Sequence, residues 1–389
     1  MILAAAILLL QDDVERYLDG LRAIEEGRPQ VALDHARTVL MQDRGRADFW
    51  ELAGRAYWAS GMPREAEAPI ERALELDPAH LGALWVRAHV RDAAAAVEDF
   101  TRILGLTRDR GPALRGRARA WLALGLTDLA AADAQAAQDE EEKKQRAAIQ
   151  KEIDRITACI EDDPRSAKLY LQRAEKRLII GDGPGAARDA ARGAELEPKS
   201  AEAYVLLARA HALSNAWENA VEAASKAIEL EPSAPAHWLQ RAGYQLTGGK
   251  HKAALADCDR ALALDPKALA AWMQRGRVRI VMQDLDGALQ DYTEVIRINP
   301  RAAPAYVQRA AVRNQKGDPS GAIEDYARAI EIDPASVDAY LGRSASHEKL
   351  EKWREALADM DRALEIMPAL AKTPHFKSRR EGLKKKIEE

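Results

Sequence analysis

Cysteine is scarce in this chain: Cys159 and Cys258 are the two in 389 residues, so no disulfide framework can staple it, and no Cys-x-x-Cys pair offers metal or redox chemistry. Aromatic residues make up only 5% while alanine is abundant, which speaks against a β-sandwich or barrel and suits closely packed helices. The one long apolar run is the first ten residues, far short of the ~20 that a membrane-spanning helix needs. Neither sign of charge dominates: 58 Lys+Arg stand against 62 Asp+Glu, a net charge of −4, so no nucleic-acid partner is expected. Catalytic signatures are missing too. There is no His-Glu-x-x-His, no Gly-x-Ser-x-Gly and no phosphate-binding Gly-x-x-x-x-Gly-Lys-Ser/Thr, and no two of the eight histidines stand four apart. We assign no catalytic, cofactor-binding or metal-ligating residue.

What the chain has is a period. Prolines fall at Pro164, Pro198, Pro232, Pro266, Pro300, Pro334 and Pro368, each 34 residues after the last, and Pro78 and Pro112 extend the ladder upstream. Such length with internal repetition points to an extended array rather than one globular core. Each unit reads as two helices. An apolar start (Trp238, Trp272, Tyr306, Tyr340) is followed four residues on by a small residue (Ala242, Gly276, Ala310, Ser344), a step that stays on one helix face. Turns follow at Gly181-Asp182-Gly183-Pro184, Gly248-Gly249, Asp284-Leu285-Asp286-Gly287 and Gly317-Asp318-Pro319. The second helix places small residues at Ala254, Ala288, Ala322 and Ala356 and larger ones at Cys258, Tyr292, Tyr326 and Met360. The closing proline cannot continue the helix and forces the turn to the next unit.

This pattern resembles the tetratricopeptide repeat family, most fully at Trp50, Gly54, Tyr57, Ala66, Ala73 and Pro78. The resemblance covers roughly residues 13 to 368. It implies an all-α fold, a right-handed superhelical solenoid of about ten 34-residue helix-turn-helix repeats plus a C-terminal capping helix. It also implies a scaffold for protein–protein interaction, whose concave face is lined by first helices, with no fixed ligand and no cofactor.

Two departures set the domain layout. No Gly-rich turn appears between Leu84 and Ala96, so the third repeat reads as distorted. Glu140 to Asp162 then runs without Gly or Pro, with Glu140/Lys144 and Glu142/Arg146 at helix-supporting spacing and an apolar stripe of Ile149, Ile153, Ile156 and Ile160. We read an elongated second helix from about Thr127 to Glu161, continuous or kinked near Asp139. The expected layout is an apolar extension or signal over 1–12, an N-terminal repeat block over 13–142, a linking helix over 143–163, a C-terminal block of six repeats over 164–368, and a basic capping helix over 369–389. Its Arg379-Arg380 and Lys384-Lys385-Lys386 read as a solvated outer face; a membrane- or nucleic-acid-binding tail is the alternative. Met1 to Leu10 leaves cytoplasmic and exported locations equally open, because it has an apolar core but neither a basic start nor an Ala-x-Ala site.

Internal repeats also permit comparison of columns. Arg87, Arg117, Arg173, Arg241, Arg275, Arg309 and Arg343 precede the small residue of the first helix; Asp99, Asp133, Asp189, Asp257, Asp291, Asp325 and Asp359 stand at the matching place in the second. The unit from Lys199 to Pro232 has Leu207 and Ala223 instead, and the second unit has Ala53 and Pro69, so both members are lost together. This predicts an Arg–Asp bridge inside each unit, structural in role. A second basic column (Arg91, Arg177, His211, Arg279, Arg313, His347) is expected to lay its stems on apolar surface with the charge outward, or to form a stripe for an acidic ligand.

For function, the solvent-facing positions of the first helices are the candidates: Leu171, Gln172, Glu175, Val205, Arg209, Leu239, Gln240, Met273, Gln274, Arg277, Val307, Gln308, Asn314 and Leu341. Apolar residues beside glutamines suit a peptide groove. Self-association and simple packing of adjacent helices are the competing readings. A carboxylate clamp of the kind some family members carry is not recognisable at Glu51, Arg55, Trp85, His89, Leu171 and Glu175. The alternative from another class is an enzyme's accessory subunit, or an enzyme whose site is not visible in the sequence.

Overall fold

The computed structural model describes the backbone of residues 2–388 and the side chains of residues 12–388. The apolar stretch over residues 1–12 therefore lies almost wholly outside the described side chains. Among the described residues there are twenty-one α-helices, one short 3-10 helix and no strand. The chain divides into two compact units, Met1–Ala148 and Ile149–Glu389.

Unit 1 holds four helix hairpins: α1 (Ile2–Glu25) with α2 (Pro29–Gln42), α3 (Ala47–Ala59) with α4 (Pro63–Leu76), α5 (Leu81–Val90) with α6 (Ala93–Leu106), and α7 (Gly111–Ala123) with the first part of α8 (Thr127–Asp162). Unit 2 takes up the last turns of α8 and continues with α9 (Ala167–Ile179) and α10 (Gly183–Leu196), α11 (Ala201–Leu213) and α12 (Trp217–Leu230), α13 (Pro235–Thr247) and α14 (His251–Leu264), α15 (Leu269–Val281) and α16 (Leu285–Ile298), α17 (Ala303–Gln315) and α18 (Pro319–Ile332), α19 (Val337–Lys349) and α20 (Trp353–Ile366). A 3-10 turn, Pro368–Lys372, leads to α21 (Pro374–Glu388). α8 is helical at every residue, without a break near Asp139. Its charges pair differently from the expected spacing: Lys143 meets Glu140, and Lys144 reaches Asp109 at 2.5 Å.

Within every hairpin but α5/α6, the turn places one residue in the left-handed region. In unit 2 these are Gly181, Asn215, Gly249, Gln283, Gly317 and Glu351, each 34 after the last. Half are glycine, for which this conformation is cheap; the other three bear a cost of roughly 1–2 kcal/mol each. The turn before α16 therefore departs from the expected reading: Gly287 is not the turn glycine but a helical residue, and Gln283 makes the reversal. Between hairpins, the aromatic at the start of four first helices of unit 2 ties back to the preceding proline. Trp238 Nε1 donates to the Pro232 carbonyl at 3.0 Å and Trp272 Nε1 to that of Pro266 at 2.9 Å.

The core between paired helices is built by complementary volumes. Gly276 faces Tyr292, and a Cβ on that glycine would lie 2.8 Å from the tyrosine ring. Tyr292 is fully buried and its hydroxyl has no partner; burial pushes its pKa up to about 12. Cys258 packs as a small hydrophobe between Ala242 and Ala254, its thiol likewise pushed by burial to about 12. Cys159 is exposed.

The third hairpin is shortened. α5 has ten residues where α3, α7 and the first helices of unit 2 have thirteen, its turn lacks a left-handed residue, and Asp92 caps α6 by accepting from the Ala95 amide at 2.9 Å. This corrects the proline ladder at one step. Pro112 lies in the first turn of α7 rather than after a second helix, so its spacing from Pro78 is a coincidence of the deletion and of the loop that follows α6.

Candidate peptide-binding face and the arginine ladder behind it

In unit 2, first helices of successive hairpins touch one another: α9 with α11, α13 with α15, and α17 with α19. In a stack of hairpins the layer whose members touch is the inner one, so these helices line the shorter side. The candidate residues sort by burial along that side. Gln172, Glu175, Arg209 and Arg277 are exposed; Val205, Leu239, Gln240, Met273, Gln274, Val307, Gln308, Asn314 and Leu341 are half-buried. Leu171 is the correction. It is buried at 6% exposure against the backbone of Gly193, whose missing side chain makes room for it, so it belongs to the core and not to a surface.

Several of the polar candidates hold neighbouring helices. Between helices, Gln274 Nε2 donates to the Leu239 carbonyl at 2.9 Å and Asn314 Nδ2 to Ser346 Oγ at 2.6 Å, whereas Gln240 Nε2 donates within α13, to the Tyr244 hydroxyl at 2.9 Å. Lys349 donates to the Asn314 carbonyl at 2.7 Å. These bonds fix the register of the first helices. They leave the exposed ends of Gln172, Glu175, Arg209 and Arg277 and the rims of the apolar residues as the open part of the face.

On the opposite side of the first helices runs a ladder of arginines. Each is bidentate to the aspartate sixteen residues ahead in its own hairpin. Nε and Nη2 lie 2.9 and 2.7 Å from the carboxylate for Arg173–Asp189, 2.8 and 2.7 Å for Arg241–Asp257, 2.9 and 2.6 Å for Arg309–Asp325, and 3.0 and 2.6 Å for Arg343–Asp359. Arg275 meets Asp291 at 2.7 Å, and in unit 1 Arg117 meets Asp133 at 2.7 Å. The shortened hairpin keeps its pair, Arg87–Asp99 at 2.6 Å, with a twelve-residue separation.

The free Nη1 of each arginine goes elsewhere, to a residue sixteen positions behind, on the preceding second helix. The acceptors are Glu71, Thr101, Thr157, Ser225, Asp259 and Thr293, at 2.6 to 3.2 Å. One guanidinium thus stitches two hairpins together, and its flat face lies on the aromatic three residues earlier, as Arg275 does on Trp272 at 4.6 Å. The ladder ends at Arg343, whose place sixteen behind is Ala327. Beyond it, α21 supplies the next rung: Arg380 Nε donates to Asp361 at 2.6 Å, and Arg379 to Glu348 at 2.6 Å. Arg379 and Arg380 are therefore turned inward onto carboxylates and are not the solvated outer face that the sequence suggested.

Three members of the second basic column are also turned inward, against the expectation of an outward charge, while Arg91 stays exposed and pairs with Glu71. Arg177, Arg279 and Arg313 donate through Nη1 to the carbonyls of Gly185, Gly287 and Gly321 at 3.1, 2.9 and 2.8 Å. The same arginines lie 2.7 to 3.1 Å from Asp189, Asp291 and Asp325. Those glycine amides in turn cap onto Asp182, Asp284 and Asp318 at 2.8 to 3.0 Å. An arginine, a capping aspartate and a glycine thus form one staple across the turn. Asp291 is fully buried between Arg275 and Arg279, and burial outweighs them, leaving its pKa above the ordinary value.

The hairpin α3/α4, which lacks the Arg–Asp pair, uses another ion pair. Glu51 is 1% exposed and bonded to Arg55 one turn on, while its Oε2 has no partner; burial raises its pKa. Trp85, His89 and Phe100 of α5 and α6 stack on one another, and His89 meets Trp58 of α3. Among the described residues no cluster of His, Cys, Asp or Glu could hold a metal ion, and no helix is long and apolar enough to cross a membrane.

The sequence profile of the tetratricopeptide repeat matches residues 23–90 and, in four overlapping windows, residues 216–269, 239–305, 273–337 and 309–371, together more than half of the chain. No curated protein matches it. Among solved structures, MamA is similar at 21% identity and a TM-score of 0.40, over 46% of this chain and 97% of that one. YrrB, described as a TPR protein with an unusual peptide-binding site, is similar at 22% identity and a TM-score of 0.39, over 47% and 95%. The Cut9–Hcn1 hetero-tetramer of the APC/C aligns over 95% of this chain and 83% of that one, at 14% identity and a TM-score of 0.47. With the repeated hairpins, their turn register and these profile matches together, this chain belongs to the tetratricopeptide repeat family.

Proposed function

We propose that the protein is a non-catalytic scaffold that binds a peptide or protein segment along the first-helix face of unit 2. The observation that carries this reading is the face itself. First helices touch in the pairs α9–α11, α13–α15 and α17–α19, and half-buried apolar side chains (Val205, Leu239, Met273, Val307, Leu341) lie on the first helices between exposed polar ends. Apolar contact along such a row supplies affinity, and the exposed Gln172, Glu175, Arg209 and Arg277 give it orientation. Of the second basic column, the stripe the sequence offered for an acidic ligand, Arg177, Arg279 and Arg313 are committed to Asp189, Asp291 and Asp325, which disfavours a polyanion as the ligand.

The test is crosslinking in the native host to identify the partner, followed by affinity measurement with the purified partner. Leu239→Glu plus Met273→Glu is expected to weaken binding at least tenfold, on the order of the effect of charging a central apolar anchor. Lys226→Glu, on the exposed side of α12, is expected to leave it unchanged. Equal affinity for all three proteins would remove the face from consideration, and a concentration-dependent mass in sedimentation with no other partner would favour self-association.

A further inference from the structure

In unit 2 the Arg–Asp–Gly staple is missing from α19/α20, at the end of the array, and from two adjacent hairpins inside it. In α11/α12 the three places hold His211, Ala216 and Asn219; in α13/α14 they hold Gln245, Lys250 and Ala253. Where these hairpins meet, a cavity of about 290 Å³ opens between the start of α12 and the end of α13. Trp217, Val221 and Tyr244 give it apolar walls, and Asn219, Gln245 and Lys250 its polar groups. Gln245 stands in the column filled elsewhere by Arg279 and Arg313. It is 6% exposed, and its Oε1 is buried with no hydrogen-bond partner. A buried polar atom left unpaired is costly, and such atoms are rare in folded proteins unless a ligand or water meets them. The second open group is the first turn of α12, whose N-cap is Ala216 and supplies no side-chain acceptor to the amides beside the cavity.

We propose that this cavity takes an uncharged primary amide, the side chain of an asparagine or glutamine on a partner segment. An amide both donates and accepts, so it can pair with the end of the Gln245 amide that lines the cavity whichever way that group is turned. Its flat face and aliphatic stem suit the walls of Trp217 and Tyr244. A charged ligand is disfavoured because the ions at the mouth, Lys250 and Glu218, lie 3.7 Å apart and neutralise each other. The proposal deepens the scaffold reading and rests on it for the source of the amide, a peptide rather than a metabolite. Tyr244 connects the two sites, since its hydroxyl accepts from Gln240 of the first-helix face.

The experiment titrates N-acetylglutamine methylamide into the full-length protein and follows the Trp217 indole N–H by ¹⁵N NMR, the signal being assigned with Trp217→Phe. A saturable shift is expected, on the order of millimolar for so small a probe. The matching glutamate and methionine derivatives are expected to bind roughly tenfold more weakly. Gln245→Arg plus Lys250→Asp supplies the arginine and aspartate of the staple; it is expected to abolish the shift while the melting temperature holds or rises. Gln245→Leu, which removes the amide alone, is expected to abolish it too. An equal response to the methionine derivative would reveal a plain apolar cleft, a stronger response to glutamate an anion site at the α12 terminus, and either overturns the proposal. So does no shift at all, or a response that survives both Gln245 variants. Leu239→Glu plus Met273→Glu leaves the probe response intact, so failure of the scaffold face and failure of the pocket read out separately.

Discussion

The hairpins α15/α16 and α11/α12 have the same length and turn register, yet they are held together by different means. In α15/α16 a buried carboxylate, Asp291, gathers Arg275 and Arg279, and Arg275 reaches back to Asp259 of the preceding hairpin. In α11/α12 the same positions are Leu207 and Ala223, which pack with Ala208, Ala224 and Tyr244. The backbone does not need the ion pair. What the pair cannot tolerate is the loss of one member, because the other is then left charged and desolvated. This explains why arginine and aspartate are absent together in α11/α12 and in α3/α4.

The largest test of that contrast is Asp291→Ala, which strands two guanidiniums in place. We expect a loss of about 3–5 kcal/mol, measured by urea unfolding of unit 2. A loss below 1 kcal/mol would mean that the pair is ornamental. Installing the pair sharpens the comparison from the other side. Leu207→Arg alone should destabilise by about 2 kcal/mol, and adding Ala223→Asp should return the protein to within about 1 kcal/mol of wild type. A double variant no better than the single one would show that the packing of α11/α12 excludes the bridge.

Next comes the incomplete rung. Ala327→Ser offers Arg343 the acceptor that Thr293 gives Arg309, and a gain of roughly 1 kcal/mol is expected by thermal melting. The smallest effect concerns Glu51, the substitute ion in α3/α4. Its folded pKa is raised by burial, so its favourable contribution is full below the ordinary glutamate value of 4.5 and is lost as the pH rises through the folded value. Glu51→Gln should therefore gain on wild type as the pH climbs from 4 to 7, by a fraction of a kcal/mol to about 1 kcal/mol, with amide exchange in α3 as the readout. A difference independent of pH would show that Arg55 cancels the burial.

The periodic proline, the turn glycines and the small-residue columns made the hairpins legible because each acts locally, within a turn or across one pair of helices. The Arg and Asp columns were legible for the same reason, being equidistant from a turn. What stayed hidden depends on the neighbouring hairpin. The acceptors sixteen residues behind each arginine are Thr, Ser, Glu or Asp, types too common to stand out as a column. Leu171 looked surface-facing because the residue that buries it is a glycine, Gly193, which leaves no apolar signal of its own. Pro112 misled because a four-residue deletion across α5 and its turn and a longer loop after α6 together restored the interval. The cavity at Gln245 was invisible because it arises from three substitutions in each of two neighbouring hairpins, none of which is unusual alone.

Because each guanidinium in the ladder before Arg343 grips one helix ahead and one behind, the joints between hairpins differ in kind. Those bridged by charge to an acidic acceptor, such as Arg275 to Asp259, weaken as dissolved ions screen the partly exposed carboxylate. The joint between α10 and α11, where Leu207 stands in for arginine, is held by oily contact alone, which sulfate and similar salts strengthen. Raising the ionic strength therefore reorders which joint of the array lets go first.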